Sequence, residues 1–349
     1  MERRSVCWDQ RALLPVHLSV WFAAAVLGTL ANKELMRVFP LPVFLTLLHL
    51  LSGALLDAVL LRRSGVRVRR SLEHSLAKAS TPVAVTLALA KMLTYLSYGA
   101  IPVSLTHTVK SASPLFSACL NALFFPRQKL HGALAAALIP ISLGVTLSAV
   151  TEINFRLGGF LAAVVAAFAG VLQSVFSKQC IERFRQVDPI VLHLHNSAIA
   201  FVLLLPLGLF FETRALLTRV SDSGIPLKLL FVSVLAQYFQ TIMSTLVLVH
   251  VSVVSHQVSN TLKRLIIIVS SILYFQNQVS VFNVFGMLLA LLGFFCYGIA
   301  SLWVSNKAER RSVLPVYSET DLAGSHQKNS LPVFATWKDK NIWKEFRIA

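Results

Sequence analysis

The sequence predicts an all-α, polytopic membrane protein of ten transmembrane helices arranged as two inverted five-helix repeats. Three observations carry this expectation. The 349 residues are 56% hydrophobic and only 13% charged, with a mean hydropathy of +0.69, whereas a soluble globular chain is about 25% charged. Ten apolar stretches are long enough to cross a bilayer, which takes roughly 20 residues each. Finally, VSLTHTVK at 103–110 resembles VSVVSHQVSNTLKR at 251–264, about half a chain away.

The elements follow in order. A short segment, 1–12, precedes the first span at 13–31. With further spans behind it and little chain before it, that first run reads as an uncleaved signal anchor into the secretory pathway rather than a plastid or mitochondrial transit peptide. Glu34 lies at its edge, and the second span, 41–61, carries Asp57 near its end. The third, 82–99, holds Lys91 and Thr94, which are three apart and so share a helical face. The fourth, 102–125, holds His107 and, one turn on, Lys110. One further turn on stands Pro114, whose ring removes a backbone hydrogen bond and bends the helix. The fifth span, 132–150, completes a first repeat over 13–150. The second repeat, 151–304, contains spans at 157–177, 190–211, 226–249, 253–275 and 280–304. Gln240 falls in the eighth span, and Asn260, Lys263 and Arg264 fall in the ninth. An odd number of spans per half inverts the second copy and sets a binding site between the halves at mid-membrane. The register of the duplication stays open, since an offset of 149 matches His107 to His256 while 153 matches Lys110 to Lys263. From 305 to 349 the apolar runs cease and Ser, Pro, Lys and Asp mix, which reads as a mostly disordered cytosolic tail without a retrieval signal at its end.

The net charge of +17 raises the question of nucleic acid, but its distribution answers otherwise. With ten spans both termini share a side, and 22 Lys and Arg fall on that side against 5 on the other. The positive-inside rule then makes both termini cytosolic. The basic loop RRSGVRVRR at 62–70 reads as a topology signal that also touches anionic membrane lipid, rather than as an RNA site. The four cysteines, Cys7, Cys119, Cys180 and Cys296, have no CxxC spacing and give no disulfide framework. No N-glycosylation sequon and no nucleotide-binding G-x-x-x-x-G-K-[ST] string occurs. No cofactor and no ATP drive are therefore implied.

The chemistry lies in four cations inside apolar stretches: Lys91, Lys110, and the adjacent Lys263 and Arg264. A charge at membrane depth costs about 2.5 to 17 kcal/mol, so such residues face a protein interior or water and mark a substrate path. Asp57 and Glu34 are too few and too poorly placed to neutralise them. The resulting cavity wants an anion. Adjacent helical residues point about 100° apart, so Lys263 and Arg264 cannot both hide on one packed face. A phosphoryl group bridging them resolves this, with Lys as a point charge and Arg as a planar fork for phosphate oxygens. For Lys91 and Lys110 taken singly, snorkelling to the interface stands as the alternative. His49, His107 and His256 are candidates to orient substrate or carry a proton, with hydrogen-bonded interior histidines as the alternative. Ser259 and Asn260 are placed beside the cation pair. His193 and His195, two apart, face different ways on a helix and do not make a metal site.

At these residues the chain resembles a known family. GTLANKELMRVFPLPVFLTLLHL, YGAIPVSLTHTVKSASPLFS, FSKQC at 176–180 and VSVVSHQVSNTLKRLIIIVSS are similar to strings of the triose-phosphate/phosphate translocator family, within the drug/metabolite transporter superfamily. Among its branches the chain looks closest to solute carrier family 35, subfamily E. The resemblance implies ten helices, an inverted repeat and strict exchange of organic phosphates for phosphate or a related anion. It also implies phosphate ligands at Lys110, Lys263 and Arg264, with Thr94 as a further site residue. Lys91 stands where plastid members typically have His, and Gln240 where they have Tyr, which puts triose phosphate itself in doubt and leaves a larger or more charged anion open.

The expectation is a secondary antiporter for a phosphorylated small molecule, a sugar phosphate or nucleotide sugar, in a Golgi or endoplasmic reticulum membrane. Lys110, Lys263, Arg264, Lys91, Thr94, Gln240, His107 and Asn260 form its expected binding set. Two alternatives from other classes remain. A membrane-embedded enzyme acting on lipid phosphates needs a base, a nucleophile or metal carboxylates near the cations, and intramembrane carboxylates are nearly absent. A regulatory protein on a carrier fold would suit the basic loop and tail, while the intact cation set speaks against it.

Overall fold

A computed structural model of the chain describes residues 13–65, 70–124, 131–184, 187–223, 225–251 and 253–313. The chain divides into two units, Met1–Ser305 and Asn306–Ala349. Of the second, the described part is the end of the last helix; the expected tail beyond 313 lies outside the described residues.

Twelve helices, and no strand, occur among the described residues. They are α1 (Leu14–Val38), α2 (Pro42–Ser64), α3 (Arg70–Ala100), α4 (Val103–Ser111), α5 (Ser113–Phe124), α6 (Gly132–Val150), α7 (Leu157–Arg183), α8 (Pro189–Phe211), α9 (Thr213–Ser223), α10 (Leu227–His250), α11 (Val253–Phe275) and α12 (Val281–Val313). Eight of them, α1, α2, α3, α6, α7, α8, α10 and α12, are long and apolar enough to cross a membrane. The protein is thus an all-helical, polytopic membrane protein.

The difference between eight and the expected ten has a physical cause in each case. The fourth expected span is broken at Ala112 into α4 and α5, of 9 and 12 residues. At 1.5 Å per residue these rise only about 14 and 18 Å, too little to cross alone. The ninth expected span, α11, has 23 residues but opens on the polar run SHQVSNT and carries Lys263 and Arg264. Two further differences concern boundaries. The short α9 follows α8 where a connection was expected, and α12 runs on to Val313, past the expected end at 304.

The helix ends follow local chemistry. Pro42 and Pro189 sit in the first turns of α2 and α8, where a missing N–H costs nothing. Asp188 caps α8 by accepting from the Ile190 amide at 2.8 Å. Gly65, with φ of 67°, closes α2 in the left-handed region that glycine enters freely. Glu212, just after α8, accepts from the Val43 and Phe44 amides at 3.0 and 2.6 Å, so the end of one helix caps the start of another.

Packing brings the site elements together. α1 lies along α10, α3 along α7, and α2 along α8. In α4 every residue from Val103 to Val109 is buried, because it is enclosed by α11, α7 and α6. α6 and α12 meet backbone to backbone: a Cβ on Gly286 would stand 2.6 Å from the Ser148 amide nitrogen. Such close approach of small residues is how helices associate where lipid removes the hydrophobic drive.

Candidate anion cavity

A single internal cavity of about 280 Å³ is lined by all eight of the expected binding residues. α3 contributes Lys91 and Thr94, α4 contributes His107 and Lys110, α10 contributes Gln240, and α11 contributes Asn260, Lys263 and Arg264. Lys91 and Lys110 line the cavity as well, so neither snorkels to the interface. The cavity has no carboxylate among its described lining residues. Among the described residues no ion pair engages any of the four cations.

The break at Ala112 organises the cationic groups. Pro114 has no N–H to give to the Lys110 carbonyl four residues before it. That freed oxygen accepts instead from the Arg264 guanidinium and from the Ser113 hydroxyl at 3.0 Å. Arg264 also donates to Ser113 Oγ at 3.1 Å and lies 6.0 Å from the Phe294 ring. One arm of the fork is therefore engaged with α4 and α5. The Lys110 ammonium donates to Thr94 Oγ1 at 2.6 Å, and that hydroxyl donates to the Ala90 carbonyl at 2.5 Å.

Lys263 takes the other direction, as its place next to Arg264 requires. Its ammonium lies 4.4 Å from the centroid of the Trp21 ring, within the range of a cation–π contact. Trp21 stacks in turn on His256, with centroids 5.0 Å apart. His256 bridges Ser244 at 3.1 Å and Asn260 at 3.4 Å. His107 is held by the Tyr98 hydroxyl at 2.8 Å. The two similar strings therefore face each other: α4 packs on α11, and His107, His256, Lys110 and Lys263 all line the cavity.

Lys91 and Gln240 have no hydrogen-bond partner among the described residues. Two buried nitrogens on the cavity wall, Trp21 Nε1 and His107 Nδ1, also lack a protein partner there. A buried polar atom without a partner asks for a ligand or water.

Other sequence candidates resolve elsewhere. His49 is held between Tyr95 at 2.9 Å and Ser233 at 2.8 Å, and Ser233 donates to Asn32 at 2.5 Å. His195 donates to the Val191 carbonyl at 2.8 Å. His193 points apart from it, as the spacing predicts, and pairs with Asp57. Ser259 is not among the lining residues. Sequence reasoning missed Trp21, Tyr98 and Ser113. Trp21 sits in an apolar run that reads as lipid-facing, and its role appears only when α11 is packed on α1. Ser113, directly before Pro114, carried a usable signal.

The cavity reaches toward the end of the bundle that carries the α7–α8 and α10–α11 connections, where Cys180, Ile181 and Leu248 line it. At the opposite end the Lys33 ammonium donates to the Tyr98 and Ile101 carbonyls at 2.5 and 3.1 Å, tying α1 to the end of α3.

Fold and cavity together define a helical membrane protein built around a cationic internal chamber. Residues 13–298 match the Triose-phosphate Transporter family, and the chain belongs to that family, one of transporters and not of enzymes. It is 30% identical over 285 residues to phosphoenolpyruvate/phosphate translocator 1, chloroplastic, of Oryza sativa subsp. japonica, covering 80% of this chain and 69% of that one. To the xylulose 5-phosphate/phosphate translocator, chloroplastic, of Arabidopsis thaliana it is 27% identical, over 82% of this chain and 70% of that one. The chloroplastic triose phosphate/phosphate translocator of Zea mays is 27% identical, over 84% and 72%. One solved crystal structure of a protein aligns with a TM-score of 0.54 at 17% identity, covering 82% of this chain and all but 2% of its own. That likeness extends to the fold.

Proposed function

We propose that this protein is an antiporter that exchanges a phosphorylated organic anion for phosphate or a nucleoside monophosphate by alternating access. The observation that carries the proposal is the convergence of Lys91, Lys110, Lys263 and Arg264 on one cavity with no carboxylate among its described lining residues. Lys110, Lys263 and Arg264 bind the phosphoryl group, with Thr94 fixing the Lys110 ammonium and His107 and Asn260 beside it. Lys91 and Gln240, without a hydrogen-bond partner among the described residues, meet the organic part of the substrate. The named relatives, which move phosphoenolpyruvate, xylulose 5-phosphate and triose phosphate against phosphate, support a phosphate-linked exchange.

Volume favours the smaller of the two substrate classes. About 280 Å³ lies at the low end of ligand clefts, roughly 300–1,000 Å³. A sugar phosphate suits it better than a nucleotide sugar.

The architecture proposed is ten spans in two inverted repeats, 13–150 and 151–304, with α4 plus α5 and α11 supplying the two spans beyond the eight long apolar helices. The facing of α4 and α11 supports it. Both termini are then cytosolic, by the 22-to-5 bias of basic residues, and the cavity reaches toward the cytosolic end. The proposed location is a Golgi or endoplasmic reticulum membrane. Chloroplastic relatives mark the competing location, and co-localisation of tagged protein decides between them.

The deciding experiment is reconstitution. Purified protein in liposomes loaded with phosphate, sugar phosphates, nucleoside monophosphates or nucleotide sugars should take up labelled phosphate only against an internal phosphorylated anion. No exchange with any of these anions would sink the proposal.

A further inference from the structure

One buried ionisable cluster lies outside the binding set assigned above, with His193 as its member that lines the cavity. Asp57 on α2 is 0% exposed, the only carboxylate among the described residues so enclosed. Its Oδ2 accepts from His193 Nδ1 at 2.5 Å, and its Oδ1 accepts from the Tyr238 hydroxyl at 2.9 Å. An ionised carboxylate only accepts, so His193 donates from Nδ1 in this pair. In the neutral imidazole the lone pair of Nε2 is then left over. That atom has no hydrogen-bond partner among the described residues, and His193 lines the cavity.

An imidazole oriented by a carboxylate, with its second nitrogen unpaired at a cavity wall, is built to accept a proton. Intramembrane Asp and His of this kind mark proton relays and are rarely kept for packing alone. Among the described residues the surroundings offer no competing partner. From α10 the facing group is Tyr238, which bonds Asp57; from α3 Lys91 lines the same cavity, while Glu73, His74 and Lys78 are exposed in the first turns of α3. On α2 itself His49 is engaged with Tyr95 and Ser233, and on α8 His195 is engaged with the Val191 carbonyl. The basic residues Arg214 and Arg219 of α9 are exposed.

We propose that Asp57 and His193 form a proton-binding site, and that one proton crosses with each exchange cycle. This rests on the alternating-access reading above. Asp57 belongs to the first half and His193 with Tyr238 to the second, so relative motion of the halves must open the cluster and change the side from which it is reached. The proton passes from cavity water to His193 Nε2, forming one N–H bond and leaving hydroxide, or water from hydronium, behind. It leaves by the reverse step to water on the opposite face. The protonated pair is neutral overall, which is the form fit to move through a closed intermediate. Charge balance gives the proton a use. A phosphate monoester with a second pKa near 6 carries between one and two negative charges at neutral pH, so exchange of two different esters leaves a fraction of a charge that a proton offsets.

The test uses full-length protein in liposomes holding unlabelled inorganic phosphate and a trapped pH indicator, with labelled inorganic phosphate added outside. Acidifying the outside by one pH unit should raise uptake, by at most the about tenfold that one coupled proton allows, and the indicator should report protons entering with phosphate. Asp57→Asn, which keeps the hydrogen-bonding shape, and His193→Gln should both keep phosphate exchange at equal pH while losing the response to the gradient. Exchange in the wild type that ignores the gradient and moves no protons overturns the proposal, as does an unchanged response in both variants. If no phosphate exchanges at all, the antiport reading fails by itself, and the proton site is judged by infrared titration of the detergent-solubilised protein. A carboxylate–imidazole signal that changes with pH in the wild type and is absent from Asp57→Asn and His193→Gln supports the site, and its absence from the wild type refutes it.

Discussion

The Arg264 guanidinium donates a hydrogen bond to the main-chain carbonyl of Lys110, across the seam between α11 and the broken α4–α5 helix. Pro114 is the cause, since it withholds the amide that would otherwise fill that carbonyl. A local backbone defect in one half of the sequence is completed by a side chain from the other half. Two cations of the proposed site are thereby held in register by a main-chain atom, and their mutual repulsion is countered by a carbonyl dipole.

Arg264→Lys should therefore damage exchange although the charge is kept. An ammonium lacks the planar fork that reaches both the Lys110 carbonyl and a phosphate oxygen. A charged hydrogen bond is worth about 1.5–3 kcal/mol, so apparent phosphate affinity should fall roughly ten- to over a hundredfold. Labelled phosphate uptake into proteoliposomes measures it. Uptake equal to wild type would make Arg264 a structural residue only.

Trp21→Leu keeps an apolar side chain beneath Lys263 and removes the aromatic face. A desolvated cation–π contact contributes about 2 kcal/mol, so phosphate affinity should drop by roughly tenfold or more, while the detergent-solubilised protein stays monodisperse. Trp21→Phe should recover part of the loss. If Leu and Phe behave alike, the ring face does not position the ammonium.

How much of this was legible beforehand differs between features. The cations were, because a lone Lys or Arg in an apolar run has few physical explanations. The facing strings were as well, because THTVK and NTLKR are specific. Trp21 was not, since a tryptophan in the middle of an apolar run reads as lipid-facing until α11 is packed on α1. The pairing of Asp57 with His193 was also out of reach, because 136 residues separate them and only the packing of α2 on α8 brings them together. The local sequence of the fourth span predicts one helix with a bend. Pro114 accounts for the bend, but the bond from Arg264 to the freed Lys110 carbonyl joins residues 154 apart, which no local pattern encodes.

Stability should depend on pH through Glu212, which sits between α8 and α9. Burial pushes its carboxyl pKa up, against the opposing pull of the Val43 and Phe44 amides. A carboxyl whose pKa is raised in the folded state binds its proton more tightly there than when unfolded. Its contribution is thus most favourable below the ordinary carboxylate range, about 4.3 for Glu, and becomes less favourable as pH rises from there through the raised folded value. Glu212→Gln cannot titrate. The melting temperature of wild type relative to Glu212→Gln should fall between about pH 4 and the upper end of that transition, then level off. A constant difference across the range would show that burial does not dominate at this carboxyl.

Coupling follows from the uncompensated charge of the cavity. Lys91, Lys110, Lys263 and Arg264 meet no carboxylate among the described lining residues, so an empty carrier must take its cations through a closed, poorly hydrated intermediate. Each unpaired charge there costs several kcal/mol after relaxation. A bound phosphoryl group offsets most of that cost, so reorientation is slow when empty and fast when loaded. Lys91 is the cation to vary, because it has no hydrogen-bond or ion-pair partner among the described residues. Lys91→Gln lowers the barrier of the empty carrier more than that of the loaded one. Efflux of labelled phosphate into anion-free buffer should therefore rise in Lys91→Gln relative to wild type, while efflux against external phosphate persists. Wild-type efflux that is equally rapid with and without an external anion would mean a uniporter, and the link from unbalanced charge to obligatory exchange would be broken.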